Sequence, residues 1–129
     1  MATVLITGPS ADLQVALTQF LIDMDHDVLL AQDGREGLGK MAEDLPDLVM
    51  TELYMERMEG IEFLRRILYT WPSMPVVVLI GMSDPGAGTM RRVVEALGAA
   101  RVLEKPICPK QLRSTINTML GELPRCEPE

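Results

Sequence analysis

The sequence predicts an α/β fold, a doubly wound parallel sheet between two layers of helices. Three observations carry that prediction. Short runs rich in Val, Ile and Leu alternate with amphipathic segments along the whole chain. The short runs lack in/out alternation, as strands covered on both faces do. Capping and breaking residues stand where one type of segment gives way to the next. With 129 residues, 47% of them apolar, the chain suits one domain with a core of its own.

The strands are expected over residues 4–7, 28–31, 48–51, 76–80 and, more briefly, 101–103. Between them, Leu13, Leu17, Phe20, Leu21 and Met24 fall on one helical face. Asp33, with Glu36 three residues on, forms a capping-box pattern ahead of a second helix. Ile61, Leu64, Ile67 and Leu68 mark a third helix. Asp84-Pro85 reads as a cap and first residue for a fourth, which carries Met90, Val93, Val94 and Leu97 and ends at Gly98. Leu112, Ile116, Met119 and Leu120 mark a fifth. The domain is expected over 1–121, with 122–129 as a tail or the start of a linker.

Composition excludes several classes of function. A net charge of −7 offers no electrostatic footprint for nucleic acid and none for an anionic membrane. Two cysteines, Cys108 and Cys126, are too few for a disulfide scaffold and lack metal-ligand spacing. The N-terminus has no basic stretch of the kind that opens a signal peptide, and no apolar run approaches the ~20 residues of a membrane span. A cytoplasmic protein with free thiols is expected.

In an open parallel sheet, ligands sit beyond the carboxyl ends of the strands. The residues there are Thr7-Gly8-Pro9-Ser10, Gln32-Asp33, Glu52-Leu53-Tyr54, Ile80-Gly81 and Glu104-Lys105-Pro106. One carboxylate, Glu52, and one ammonium, Lys105, could face each other across that crevice. No Ser/His/Asp or Cys/His set accompanies them. The single histidine, His26, falls in the turn before the second strand and reads as a solvated turn residue. No enzymatic activity is expected.

Several motifs in order resemble the receiver domain of two-component response regulators, over residues 3 to about 121. Pro46-Asp47-Leu48-Val49-Met50-Thr51-Glu52-Leu53 looks like that family's third strand, and Met58-Glu59-Gly60 resembles the turn that opens its third helix. Met74-Pro75-Val76-Val77-Val78-Leu79 is similar to its fourth strand, and Gly98-Ala99 followed by Lys105-Pro106 to the end of its fifth. The resemblance implies a flavodoxin-like sheet in the order 2-1-3-4-5 and a cis Lys105-Pro106 peptide. It implies signalling through a partner protein or output domain, in a phosphorelay.

The family's functional residues carry over incompletely. Its acidic, Mg²⁺-holding pair aligns with Gly8 and Pro9, and its phosphoacceptor aspartate with Glu52. Its phosphoryl-binding hydroxyl aligns with Ile80 and its switch aromatic with Val102. Lys105 alone matches. Mg²⁺ is usually held by one or two carboxylates plus substrate oxygens. The metal site is therefore expected to be lost, no cofactor is expected, and the domain is expected to act without phosphorylation.

Glutamate at position 52 carries its carboxylate roughly 1.5 Å further out than aspartate would, a reach that partly imitates an aspartyl phosphate. A Glu52–Lys105 ion pair could hold the domain in one state; the alternative is that both side chains simply reach water. A phosphoacceptor role for Glu52 with an unusual metal geometry stays open.

Weaker patterns point elsewhere. Gly34-Arg35-Glu36-Gly37-Leu38-Gly39-Lys40 fits P-loop spacing, but Met41 stands where a Ser or Thr should follow. The Gly8 turn hints at a nucleotide-binding Rossmann-like enzyme but lacks the further glycines of that fingerprint. Most of the ten methionines read as core gap fillers, Met24, Met50, Met90 and Met119 among them. Tyr54, Met55 and Met58 read as an exposed patch. Arg91, Arg92, Arg101, Lys110 and Arg113 mark a candidate surface for self-association or output contact on the fourth-helix, fifth-strand and fifth-helix face.

Overall fold

A computed structural model describes residues 1–55, 58–81 and 83–121. The predicted tail, and Cys126 within it, lie outside the described residues. The elements run β1 (Thr3–Thr7), α1 (Ala11–Asp23), β2 (Asp27–Ala31), α2 (Gly34–Glu43), β3 (Leu48–Glu52), α3 (Gly60–Thr70), β4 (Val76–Gly81), α4 (Ala87–Leu97), β5 (Arg101–Lys105) and α5 (Pro109–Met119). All four strand pairings are parallel, in the order β2-β1-β3-β4-β5. This is the flavodoxin-like order 2-1-3-4-5 that the resemblance implies.

The apolar strands lack polar alternation because both sheet faces are covered. Leu5, Val49, Val78, Ile80 and Val102 pack on one face against Met41 of α2, Phe63, Leu64 and Ile67 of α3, and Val94 of α4. Their neighbours Val4, Ile6, Met50, Leu79 and Leu103 point to the other face, against Leu17 and Leu21 of α1 and Leu112 and Ile116 of α5. A one-residue slip in any central strand would exchange these two sets.

The punctuation works as read, with one exception. Asp33 accepts from the Glu36 N–H at 2.9 Å, while the Glu36 carboxylate reaches back to the Gln32 N–H at 2.8 Å. Gly98 closes α4 at φ +115°, where the Ala99 N–H donates to Val94 O. Asp84-Pro85 does not start that helix. The Asp84 carboxylate accepts from the Gly81 N–H at 2.8 Å, closing a tight turn, and α4 begins only at Ala87 after Gly86 at φ +65°.

Two further expectations change. His26 is buried, not solvated: its Nδ1 accepts from the Ala2 N–H at 3.1 Å, tying the chain start to the α1–β2 turn. Met55 is buried too, with its Sδ 3.7 Å from Thr51 Oγ1, so the exposed patch reduces to Tyr54 and the half-buried Met58. Met50 is fully buried, while Met24, Met90 and Met119 pack partly buried against the core.

The P-loop-like segment is helical from Gly34 onward. A β-carbon on Gly37 would lie 2.8 Å from Phe63 Cζ, and one on Gly34 would lie 3.0 Å from Met58 and Phe63. These glycines let α2 approach α3. They do not line a phosphate loop.

Candidate functional site

Register brings the site together. Thr7 pairs with Thr51, so the residues that follow them, Gly8 and Glu52, are neighbours at the same sheet edge. Glu52 pairs with Leu79, and Gly81 with Lys105, which carries the edge across β4 to the end of β5. Gly8, Glu52 and Lys105 thus converge from chain positions far apart.

The expected ion pair forms. Lys105 Nζ lies 2.8 Å from Glu52 Oε1, with the glutamate side chain 6% exposed and the lysine side chain 29% exposed. The reading in which both groups merely reach water does not hold for Glu52. A buried carboxylate needs more than one donor, and Ser10 supplies two. Its hydroxyl donates to Oε1 at 2.7 Å and its N–H to Oε2 at 3.0 Å. Ser10 falls among the strand-end residues of the sequence, but nothing in Pro9-Ser10-Ala11 marks it as the partner of Glu52.

The Glu52 carboxylate does not point outward as its extra methylene suggests. It folds over Gly8, where a β-carbon would stand 2.1 Å from Oε2. Glycine at this position leaves the volume that the carboxylate fills. The loop itself is braced from the side by Gln14, whose Nε2 donates to Gly8 O at 2.9 Å and to Ala31 O at 2.8 Å.

The other predicted positions are distributed around this centre. Ile80 and Val102 are buried in the apolar cluster beneath α4. Pro9 is exposed at the β1–α1 turn, and the Lys105-Pro106 peptide is cis. The Tyr54 hydroxyl donates to Pro85 O at 2.5 Å, linking the loops after β3 and β4. Among the described residues, no group of three or more His, Cys, Asp or Glu side chains is placed to hold a metal ion. No described helix is long and apolar enough to cross a membrane.

The basic residues of the α4–β5–α5 region are largely engaged within the chain. Arg91 pairs with Glu104 at 3.0 Å and with Glu95 at 3.4 Å. Arg113 stacks over the Phe20 ring at 5.4 Å, and Arg101 reaches Thr115 at 3.5 Å. Arg92 is exposed.

Comparison with known proteins agrees with this architecture. The family model for the response regulator receiver domain matches residues 4–117, and the chain belongs to that family. It is 35% identical over 103 residues to protein-glutamate methylesterase/protein-glutamine glutaminase 1 of Anaeromyxobacter dehalogenans, covering 80% of this chain and 29% of that protein. It is 31% identical over 120 residues to the response regulator MprA of Mycolicibacterium vanbaalenii, covering 91% of this chain and 49% of that protein. The chain thus spans less than a third of the first relative and about half of the second.

Among solved structures, the chemotaxis response regulator CheY4 of Vibrio cholerae superimposes with a TM-score of 0.82 at 28% identity, over 93% of this chain and 99% of that one. A response regulator receiver domain protein from Clostridium thermocellum gives 0.83 at 26% identity, over 94% and 95%.

Proposed function

We propose that this receiver domain transmits signals by protein–protein contact without being phosphorylated, held in one state by Glu52. The observation that carries the reading is the engagement of the Glu52 carboxylate. Both oxygens already accept hydrogen bonds, from Lys105 and Ser10, and the residue is 4% exposed. A carboxylate in that condition is a poor nucleophile, because attack on a phosphoryl group would first have to break those bonds in a nearly dry site.

The donor set does not fit Mg²⁺. Gly8 and Pro9 supply no carboxylate, and the oxygen ligands that Glu52 could offer are spent on an ammonium and on Ser10. Phosphoryl transfer relies on positioning and on metal charge neutralisation, so the reading takes Glu52 as a structural anion and the domain as non-enzymatic. Ile80 and Val102 provide neither a hydroxyl nor a ring for a phosphorylation-dependent switch. These departures support a degenerate, pseudo-receiver role; a cytoplasmic location is proposed separately, from the free thiols expected of the sequence.

The partner is a protein or an output domain, met through the α4–β5–α5 face, rather than nucleic acid or membrane. Calorimetric titration with Mg²⁺ tests the reading directly. No saturable heat is expected in the millimolar range. Stoichiometric binding that disappears in Glu52→Gln would replace this proposal with a phosphoacceptor role for Glu52.

A further inference from the structure

Ser10 stands at the N-cap of α1, yet its side chain makes no cap hydrogen bond. Its hydroxyl and its N–H both turn to the Glu52 carboxylate, on a residue 42 positions away. Lys105 approaches the same group from the end of β5. The missing side chain at Gly8 leaves the space in which Oε2 sits. Gln14 and the Gly8 N–H, which donates to Ala31 O at 3.0 Å, hold the loop in this shape without using Glu52. Donors, void and bracing together describe a preformed binding site whose occupant belongs to the same chain.

We infer that Gly8, Ser10 and Lys105 form a carboxylate receptor, filled from within by Glu52 and selective for glutamate over aspartate. The inference rests on the reading of Glu52 as a fixed structural anion. Length is the selective feature. An aspartate at position 52 ends roughly 1.5 Å short, which takes its oxygens out of reach of both Ser10 donors. Ser10 is the positioning residue, because it alone binds both oxygens. The receptor ties the loop after β1 to the ends of β3 and β5, so the occupant sets the relative position of three parts of the sheet edge. With the glutamate side chain truncated, the site takes a small carboxylate from solution.

A thermal double-mutant cycle over Gly8→Ala and Glu52→Ala tests this on the full chain. A positive φ of +154° makes Gly8→Ala costly in any background. If the receptor exists, the substitution lowers Tm by less than half as many degrees in the Glu52→Ala background as in the wild type, because the carboxylate clash is gone. An equal loss in both backgrounds overturns the receptor.

Acetate provides a second arm that does not depend on the glycine variant folding. At 100 mM acetate against equal chloride, the Tm of Glu52→Ala rises by about 3 °C and that of the wild type does not. The same response in both proteins overturns the proposal. Phosphate incorporation, read by intact mass, separates the two claims. A phosphate gain with a coupled cycle defeats phosphorylation independence, and an additive cycle without phosphate defeats the receptor.

Discussion

The Glu52 carboxylate occupies the space that a side chain on residue 8 would need, with Oε2 2.1 Å from the position of a Gly8 β-carbon. Glycine at the end of β1 and glutamate at the end of β3 are therefore one structural feature. Restoring an acid at position 8 alone would set two carboxyl groups into one volume. Substitutions at this site have to be read in pairs.

Lys105→Met leaves the Glu52 carboxylate with Ser10 as its remaining partner. Breaking a buried ion pair costs ~3–5 kcal/mol when both groups are dry. Because the lysine side chain is 29% exposed, water can reach the gap, and a loss of about 2–3 kcal/mol is expected. Urea denaturation followed by circular dichroism measures it. An unchanged midpoint would remove the ion pair from the account.

Ser10→Ala deletes the hydroxyl that donates to Oε1 but keeps the N–H that donates to Oε2. A hydrogen bond to a charged group contributes roughly 1.5–3 kcal/mol, and a neighbouring ammonium shares this one. The expected loss is about 1–2 kcal/mol. In the Glu52→Ala background the same substitution should be nearly neutral, because the hydroxyl then has no carboxylate to donate to.

Gly60→Ala tests the approach of α3 to the end of β3. A β-carbon there would meet Leu53 O at 2.7 Å and Glu52 O at 2.8 Å, both backbone atoms that cannot step aside. Overpacking of this kind costs roughly 1–3 kcal/mol. The strain falls on the peptide that carries Glu52, so the Ser10 amide should lose hydrogen-exchange protection as well. A destabilised variant with full protection at Ser10 would uncouple the two.

Much of the fold is legible in the sequence, because the strands are apolar on both faces and the helices on one. Val4, Ile6 and Met50, beside Leu5 and Val49, read as unbroken apolar runs, and the two helix layers they serve follow from that. Sheet order comes from the resemblance of the strand-end motifs and agrees with the observed pairing. Glu52 and Lys105 are legible as the charged residues at strand ends. Ser10 is not, because its partner lies 42 residues away and serine is common at any helix start. His26 and Met55 mislead for a similar reason. Each falls in a turn, and burial there is decided by tertiary neighbours that no local pattern encodes.

The α4–β5–α5 surface gives a test of partner contact. Arg91 is held by Glu104 and Glu95 on an exposed surface, and such pairs contribute about 0–1 kcal/mol. If this face is the protein-contact surface proposed above, Arg91→Glu with Arg92→Glu leaves Tm nearly in place and weakens whatever self-association sedimentation velocity detects at low salt. A loss of folding, or association that ignores both charges, would point to another face.

The measurement closest to the central claim is intact mass after incubation with a small-molecule phosphodonor and Mg²⁺. A Gly8→Asp, Pro9→Asp, Glu52→Asp variant, which restores the acidic residues of a phosphorylatable receiver, belongs beside the wild type. No phosphate is expected on the wild type, whose Glu52 oxygens stay bound to Ser10 and Lys105. A stoichiometric phosphate gain on the wild type, abolished by Glu52→Gln, would contradict that expectation.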